Sequence, residues 1–98
     1  MKIDTFKVMD CSTMHVTDKD INDLLERDDC PVCSYKYDCG TFVYVYQMDI
    51  EGNLKTMLEY GFSPEFVNLV KLARENNCRY IQLDCDGTQN SDLPRFNW

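Results

Sequence analysis

The fold is decided by VCSYKYDCGTFVYVYQ, residues 32–47, in the middle of a 98-residue chain. Residues 32–37 and 41–47 are two β-prone runs, and the short Asp38-Cys39-Gly40 connection between them is typical of a β-hairpin. The second run lacks polar alternation, which predicts a central strand with both faces largely covered. The remainder of the chain must therefore provide neighbouring strands and the layers that cover this sheet.

The segments outside the hairpin predict two further strands and three helices. Alternation over residues 3–9 indicates a first strand, and the apolar run at residues 80–83 indicates a last one. Three segments have helical periodicity: residues 17–27, 53–60 and 64–76. Thr17 and Ser63 are expected N-caps, and Gly61 is expected to end the second helix in a left-handed conformation.

The element order β-α-β-β-α-α-β predicts an α+β fold, formed by one domain over residues 1–98. We expect an antiparallel sheet with the helices on one face, on a ferredoxin-like βαββαβ plan with an inserted short helix. The polar tail ends in Leu93-Pro94-Arg95-Phe96-Asn97-Trp98, whose three large apolar side chains are expected to fold back onto the domain.

Composition and charge exclude several classes of protein. The 44% content of hydrophobic residues and 12% of aromatic residues are not those of a disordered chain. The net charge of -7 argues against direct nucleic-acid binding, which requires Lys and Arg to displace counterions. The charge is uneven, because residues 1–52 contain 11 acidic and 5 basic residues whereas residues 53–98 contain 6 and 5. The first half therefore carries most of the negative field.

The start of the chain predicts a cytoplasmic protein without a membrane span. Asp4 and Asp10 interrupt the N-terminal segment, which lacks the apolar run of a signal peptide. No segment approaches the ~20 apolar residues of a transmembrane helix. In that setting the six cysteines are expected to remain reduced thiols.

The candidate partner-binding residues are six acidic residues around the first predicted helix and four tyrosines of the hairpin. They are Asp18, Asp20, Asp23, Glu26, Asp28, Asp29, Tyr35, Tyr37, Tyr44 and Tyr46. A negative patch speeds association with a basic protein surface, and exposed aromatic side chains add contact area. The alternatives are a solvated helix face for the carboxylates and ordinary cross-strand packing for the tyrosines.

The cysteines suggest an alternative as a small metal-binding or redox domain. Cys30-Pro31-Val32-Cys33 is a C-x-x-C motif, typical of a dithiol or of half a zinc site. A structural zinc requires four ligands, for which Cys39 is the third candidate and His15 or Cys11 a distant fourth. A redox dithiol normally begins a helix, whereas this motif precedes a strand. We therefore expect no cofactor, with zinc as the alternative.

The sequence gives weaker evidence for catalytic motifs than for binding residues. Asp84-Cys85-Asp86-Gly87-Thr88 resembles the D-x-D-G-T signature of haloacid-dehalogenase-type phosphatases. That family places its lysine and further aspartates downstream of the motif, and only ten residues follow here, so we expect an Asp-Gly turn instead. His15 lies close in sequence to Ser12, but sequence neighbours seldom form a nucleophile and base pair. No catalytic residue is assigned, and we expect a protein that is not an enzyme.

Three segments together resemble a known family. They are residues 12–17, Gly40-Thr41-Phe42-Val43-Tyr44-Val45, and Leu83-Asp84-Cys85-Asp86-Gly87 followed by the closing residues 93–98. Ser12-Thr13-Met14-His15-Val16-Thr17 and the closing Leu93-Pro94-Arg95-Phe96-Asn97-Trp98 are similar to the S-T-x-H-[IV]-T and L-P-x-F-x-W patterns of an uncharacterised family of small bacterial proteins. That family is associated with plasmids and other mobile elements and has no established activity. The resemblance and the charge together suggest an anti-restriction or anti-CRISPR type inhibitor that binds a basic surface of a host defence enzyme. The partner and the oligomeric state are not set by the sequence.

Overall fold

Four strands and three helices make up the domain, for which the computed structural model describes residues 1–46 and 48–97. In chain order they are β1 (Lys7–Ser12), α1 (Asp18–Glu26), β2 (Ser34–Tyr37), β3 (Gly40–Tyr44), α2 (Ile50–Tyr60), α3 (Pro64–Glu75) and β4 (Cys78–Asp84). A short 3-10 turn at Thr13–His15 follows β1. The strands form one sheet in the order β1-β4-β3-β2.

The sheet is mixed, which confirms the α+β class and corrects the predicted antiparallel sheet. β4 is antiparallel to β3 but parallel to β1, and β1 lies at the edge. β4 takes a central position because Ile81 and Leu83 are fully buried, whereas the first half of β1 is exposed and tolerates an edge. β1 also begins later than the expected residue 3, because pairing with β4 sets its bounds more than local alternation does.

The helix boundaries follow their capping residues closely. Thr17 caps α1 in a capping box with Asp20, and the Ser63 hydroxyl accepts a hydrogen bond from the Phe66 N–H at the start of α3. Gly61 ends α2 with φ 119°, a conformation that L side chains rarely adopt. Across residues 1–46 and 48–97, no helix has the length and hydrophobicity needed to cross a bilayer.

The hydrophobic core lies between the three helices and one face of the sheet. Its largest fully buried apolar side chains are Phe66, Met57, Leu69, Ile81, Leu83, Val43 and Val45. The hairpin's second strand takes the predicted central position between β4 and β2. On its other face Phe42 and Tyr44 are partly buried, because side chains such as Tyr80, and not helices, pack against them. The helices leave that face of the sheet open.

The C-terminal tail packs back against the domain, as expected. Leu93 lies against the core, and the Phe96 N–H donates to the Met14 carbonyl at 2.8 Å. The same prediction for Trp98 lies outside the described residues. The tail thus covers the end of β1.

Candidate functional site: an open aromatic sheet face and its acidic edge

The open face of the sheet follows from the alternation of side chains along residues 80–84 of β4. Ile81 and Leu83 point into the core, so Tyr80, Gln82 and Asp84 point to the opposite face. The face is therefore aromatic where Tyr80 lies and acidic where the strand ends.

An aromatic groove occupies the first part of this face. Its lining residues are Phe6, Val8, Tyr35, Phe42 and Tyr80, and its volume is about 270 Å³. The Tyr80 ring lies at its centre, with ring centroids 5.6 Å from Phe6, 6.4 Å from Tyr35 and 6.3 Å from Phe42. Phe6 and Tyr35 remain 55% and 58% exposed. Exposed aromatic side chains grouped in this way are suited to contact a protein partner.

One cation lies beside the groove. The Arg79 guanidinium stacks between the rings of Phe6 and Tyr46, at 4.6 Å from each ring centroid. Such cation–π contacts hold an otherwise extended N-terminal segment against the sheet. Phe6 is thereby positioned over the groove although it precedes β1.

The acidic edge, defined as Asp10, Asp84 and Asp86, lies where β1 and β4 end side by side. Asp84 accepts hydrogen bonds from the Tyr37 hydroxyl at 2.5 Å and from the Asp86 N–H at 2.7 Å. The Tyr37 hydrogen bond, followed by that backbone N–H, lowers the pKa of Asp84. Desolvation and the same carboxylate raise the pKa of Tyr37. The pair is therefore an ionised carboxylate bound by a neutral phenol at neutral pH.

Glycine at position 87 allows the turn after β4 to approach β1. A Cβ there would lie 2.4 Å from the Cys11 carbonyl oxygen, closer than real contacts allow. The approach lets the Ser12 N–H donate to the Thr88 carbonyl at 2.9 Å and the Thr88 hydroxyl donate to Asp10 at 2.6 Å. The D-x-D-G-T segment thus serves as a turn that fixes the acidic edge, in line with the expected Asp-Gly turn.

Two of the six acidic residues predicted to bind a partner are instead buried. Asp20 is fully buried and accepts hydrogen bonds from the Thr17 N–H, the Ser63 N–H and the Ser63 hydroxyl. Asp23 is 5% exposed and pairs with Lys19 at 2.7 Å. The sequence pattern could not show the burial of Asp20, because its contacts with Ser63 join segments that are distant in sequence.

The other four predicted acidic residues are exposed. Asp29 binds the Arg27 guanidinium at 2.8 Å and the Tyr60 hydroxyl at 3.0 Å, and these hydrogen bonds lower its pKa. Asp18, Glu26 and Asp28 are exposed around the two ends of α1. The surface charge of the α1 region is therefore smaller than its sequence indicates.

The predicted tyrosines lie on or beside the open face. Tyr35, Tyr37 and Tyr44 alternate with inward-facing residues, and Tyr46 flanks Arg79. Tyr35 and Tyr46 are exposed, whereas Tyr37 and Tyr44 are half-buried. Phe6, Tyr80 and Asp84 belong to the same surface but are not among the predicted binding residues. The signal for two of them is the alternation of residues 80, 82 and 84 with the apolar residues 81 and 83.

The alternative zinc ligands are not brought together. Both nitrogens of the buried His15 ring are engaged, Nδ1 with the Pro94 carbonyl at 2.8 Å and Nε2 with the Asn90 N–H at 2.9 Å. The whole of β2 separates Cys33 from Cys39. Cys30 lies near Cys33 but does not form a cluster with Cys39 or His15. Among the described residues, the one group whose ligand atoms lie close enough together to hold a metal ion is Asp84, Cys85 and Asp86.

Comparison with known proteins yields one family. Residues 8–98 match the family model described as "Family of unknown function (DUF5983) C-terminal domain". No curated protein matches the chain, and no solved structure matches it. The expectation of an uncharacterised family is confirmed at that level. The matched range contains the acidic edge and every groove residue except Phe6.

Proposed function

Because the chain belongs to the DUF5983 family of unknown function, we propose from its surface that it is a non-enzymatic protein-binding module. The binding surface consists of the aromatic groove and the acidic edge. The supporting observation is the exposure of Phe6 and Tyr35 on a sheet face that no helix covers. Burying such aromatic side chains against a partner provides most of the binding energy in protein interfaces.

The acidic edge determines the chemistry of the partner. Tyr80 and Asp84 lie on the same face of β4 four residues apart, so roughly 13 Å separates the groove from the edge. An apolar side chain inserted in the groove then places a neighbouring Arg or Lys within reach of Asp84 and Asp86. Charge-assisted pairing of that kind fixes the register of the complex.

The finer proposal is a partner that normally holds nucleic acid, because such proteins present basic surfaces. Restriction and CRISPR effector enzymes belong to this class of partner. The proposal is therefore that the chain is a bacterial, mobile-element protein that inhibits such enzymes in the cytoplasm. The chain's net charge of -7 would steer it toward such a surface.

Binding to purified nucleic-acid-directed enzymes, with inhibition of DNA cleavage as the readout, tests this proposal. The groove variant Phe6→Ser/Tyr35→Ser and the edge variant Asp84→Asn/Asp86→Asn are compared with Glu26→Gln/Asp28→Asn on α1, which removes the same charge elsewhere. We expect binding to weaken at least tenfold in the groove and edge variants, to change little in the α1 variant, and to decrease at raised salt.

Equal binding by all three variants would contradict the proposed surface. Loss of binding in the α1 variant alone would show that the acidic residues around α1, and not the groove, form the binding site. Absence of binding to any such enzyme removes the finer proposal but leaves the groove to be tested against other proteins.

A further inference from the structure

Two exposed cysteines face each other beside the acidic edge. Cys39 lies in the turn between β2 and β3, and Cys85 directly follows β4. Gly40 pairs with Asp84 in antiparallel register, so Cys39 and Cys85 are the next opposed positions. The Cys85 N–H donates to the Cys39 carbonyl at 3.0 Å, which continues the ladder. The Cys39 thiol is one of the neighbouring groups that raise the pKa of the Cys85 thiol.

The register of the two strands places the cysteines at a spacing that suits a disulfide. Opposed residues of antiparallel strands have Cα atoms about 4.5–5.5 Å apart, within the usual range of about 4.4–6.8 Å for disulfides. The close approach of the two strands depends on glycine at position 40, because a Cβ there would lie 1.9 Å from the Leu83 carbonyl oxygen.

We propose that Cys39 and Cys85 form a dithiol–disulfide modification site that reacts with low-molecular-weight disulfides of the glutathione class. One cysteine thiolate attacks the oxidant, whose S–S bond breaks, to give a mixed disulfide and one released thiol. The second cysteine thiolate attacks the protein sulfur of that mixed disulfide and expels the second thiol. The two cysteines lose two electrons and two protons, which the two released thiol molecules carry.

The electrostatics of the edge favour the protonated thiol of Cys85. Desolvation raises the pKa of the Cys85 thiol, and the negative charge of Asp86 raises it further. The thiolate is the attacking species, so we expect closure of the disulfide to become faster as pH rises.

The other described cysteines differ from this pair. Cys11 and Cys78 are buried, and burial raises the pKa of the Cys11 thiol to about 11. Cys30 and Cys33 are neighbours in a loop and provide the competing pair. The inference does not rest on the proposed function, since it concerns only the chain's own thiols.

Equilibration of the intact protein in mixtures of reduced and oxidised glutathione tests the site. Trapping with an alkylating reagent is followed by intact mass and by peptide mapping. We expect loss of two hydrogen atoms, protection of Cys39 and Cys85 from alkylation, and a cross-linked peptide that contains both. Cys85→Ser should abolish that cross-link, whereas Cys33→Ser, which removes an exposed cysteine elsewhere, should leave it intact.

Three outcomes would overturn the proposal. They are a cross-link between Cys30 and Cys33 alone, stable glutathione adducts on Cys39 or Cys85 without closure, and stoichiometric zinc bound through Cys39 and Cys85 that blocks oxidation. The zinc outcome is distinguished by metal analysis of the same samples.

Discussion

The role of Asp84 in the structure differs from the catalytic role that its motif suggests. In the sequence it is the first carboxylate of a phosphatase-like D-x-D-G-T motif. In the structure both of its oxygens accept hydrogen bonds, one from the Tyr37 hydroxyl and one from the Asp86 N–H. Gln82 donates to the same tyrosine oxygen at 3.0 Å and fixes its position. Asp84 is thus oriented at the surface as an acceptor for an incoming donor.

Removing the phenol should raise the pKa of Asp84 toward its ordinary value of 3.8. Because the folded-state pKa is depressed, the stabilisation is present above the ordinary carboxyl range and is lost as pH falls through the depressed value. Tyr37→Phe should therefore reduce the acid dependence of unfolding. Carboxyl carbon chemical shifts followed through a pH titration measure the change, with Tyr35→Phe as the matched control. An unchanged Asp84 titration in Tyr37→Phe would contradict this assignment.

At the residue scale, sequence reasoning identified Tyr35 and Tyr37 but could not group them with Phe6, Tyr80 and Asp84. The face that a side chain occupies depends on register, and a shift of one residue reverses every orientation. The first strand was placed too early, so the alternation there could not be aligned with β4. The burial of Asp20 is unpredictable for a similar reason, because its contacts with Ser63 are tertiary.

At the element scale, α1 and α3 are joined through one buried carboxylate. Asp20 completes the capping box of α1 and also accepts the N–H and hydroxyl of Ser63, the residue that caps α3. One side chain therefore satisfies the starts of two helices. The local capping patterns were readable in the sequence because they depend on neighbouring residues only, whereas the link between the helices was not.

Asp20→Ala should lower the free energy of unfolding by about 3 kcal/mol, since it removes the carboxylate of the capping box and leaves the N–H groups of Thr17 and Ser63 without partners. Asp18→Ala, two residues earlier and exposed, is the control and should change it by less than about 0.5 kcal/mol. Urea denaturation followed by circular dichroism measures both. Similar losses in the two variants would show that Asp20 acts only through the local charge of the helix start.

At the scale of the whole molecule, all the helices lie on one side of the sheet. Phe66, fully buried against Phe62, belongs to the covered side, whereas Tyr35 belongs to the open side. The α+β class was predictable because element types follow from periodicity and capping. The order of the strands was not predictable, because it depends on which strand takes the central position between two neighbours.

The two faces should respond differently to truncation. Phe66→Ala should cost about 3–5 kcal/mol of unfolding free energy through the cavity it leaves. Tyr35→Ser should cost less than about 1 kcal/mol, because most of its ring already contacts water. Thermal and urea unfolding of both variants provide the measurement. A large loss for Tyr35→Ser would mean that the open face is part of the stabilising core and not a surface reserved for binding.

The parallel pairing of β1 with β4 also determines when the domain can become complete. Lys7 pairs with Cys78 and Ser12 with Asp84, so one edge of the sheet joins residues from nearly opposite ends of the chain. Contacts of such long sequence separation form late, because closing a long loop costs entropy before any contact repays it. During synthesis β1 emerges before the β2–β3 hairpin and the helices, and it waits unpaired until β4 leaves the ribosome. The timing of assembly is therefore governed by the last strand made.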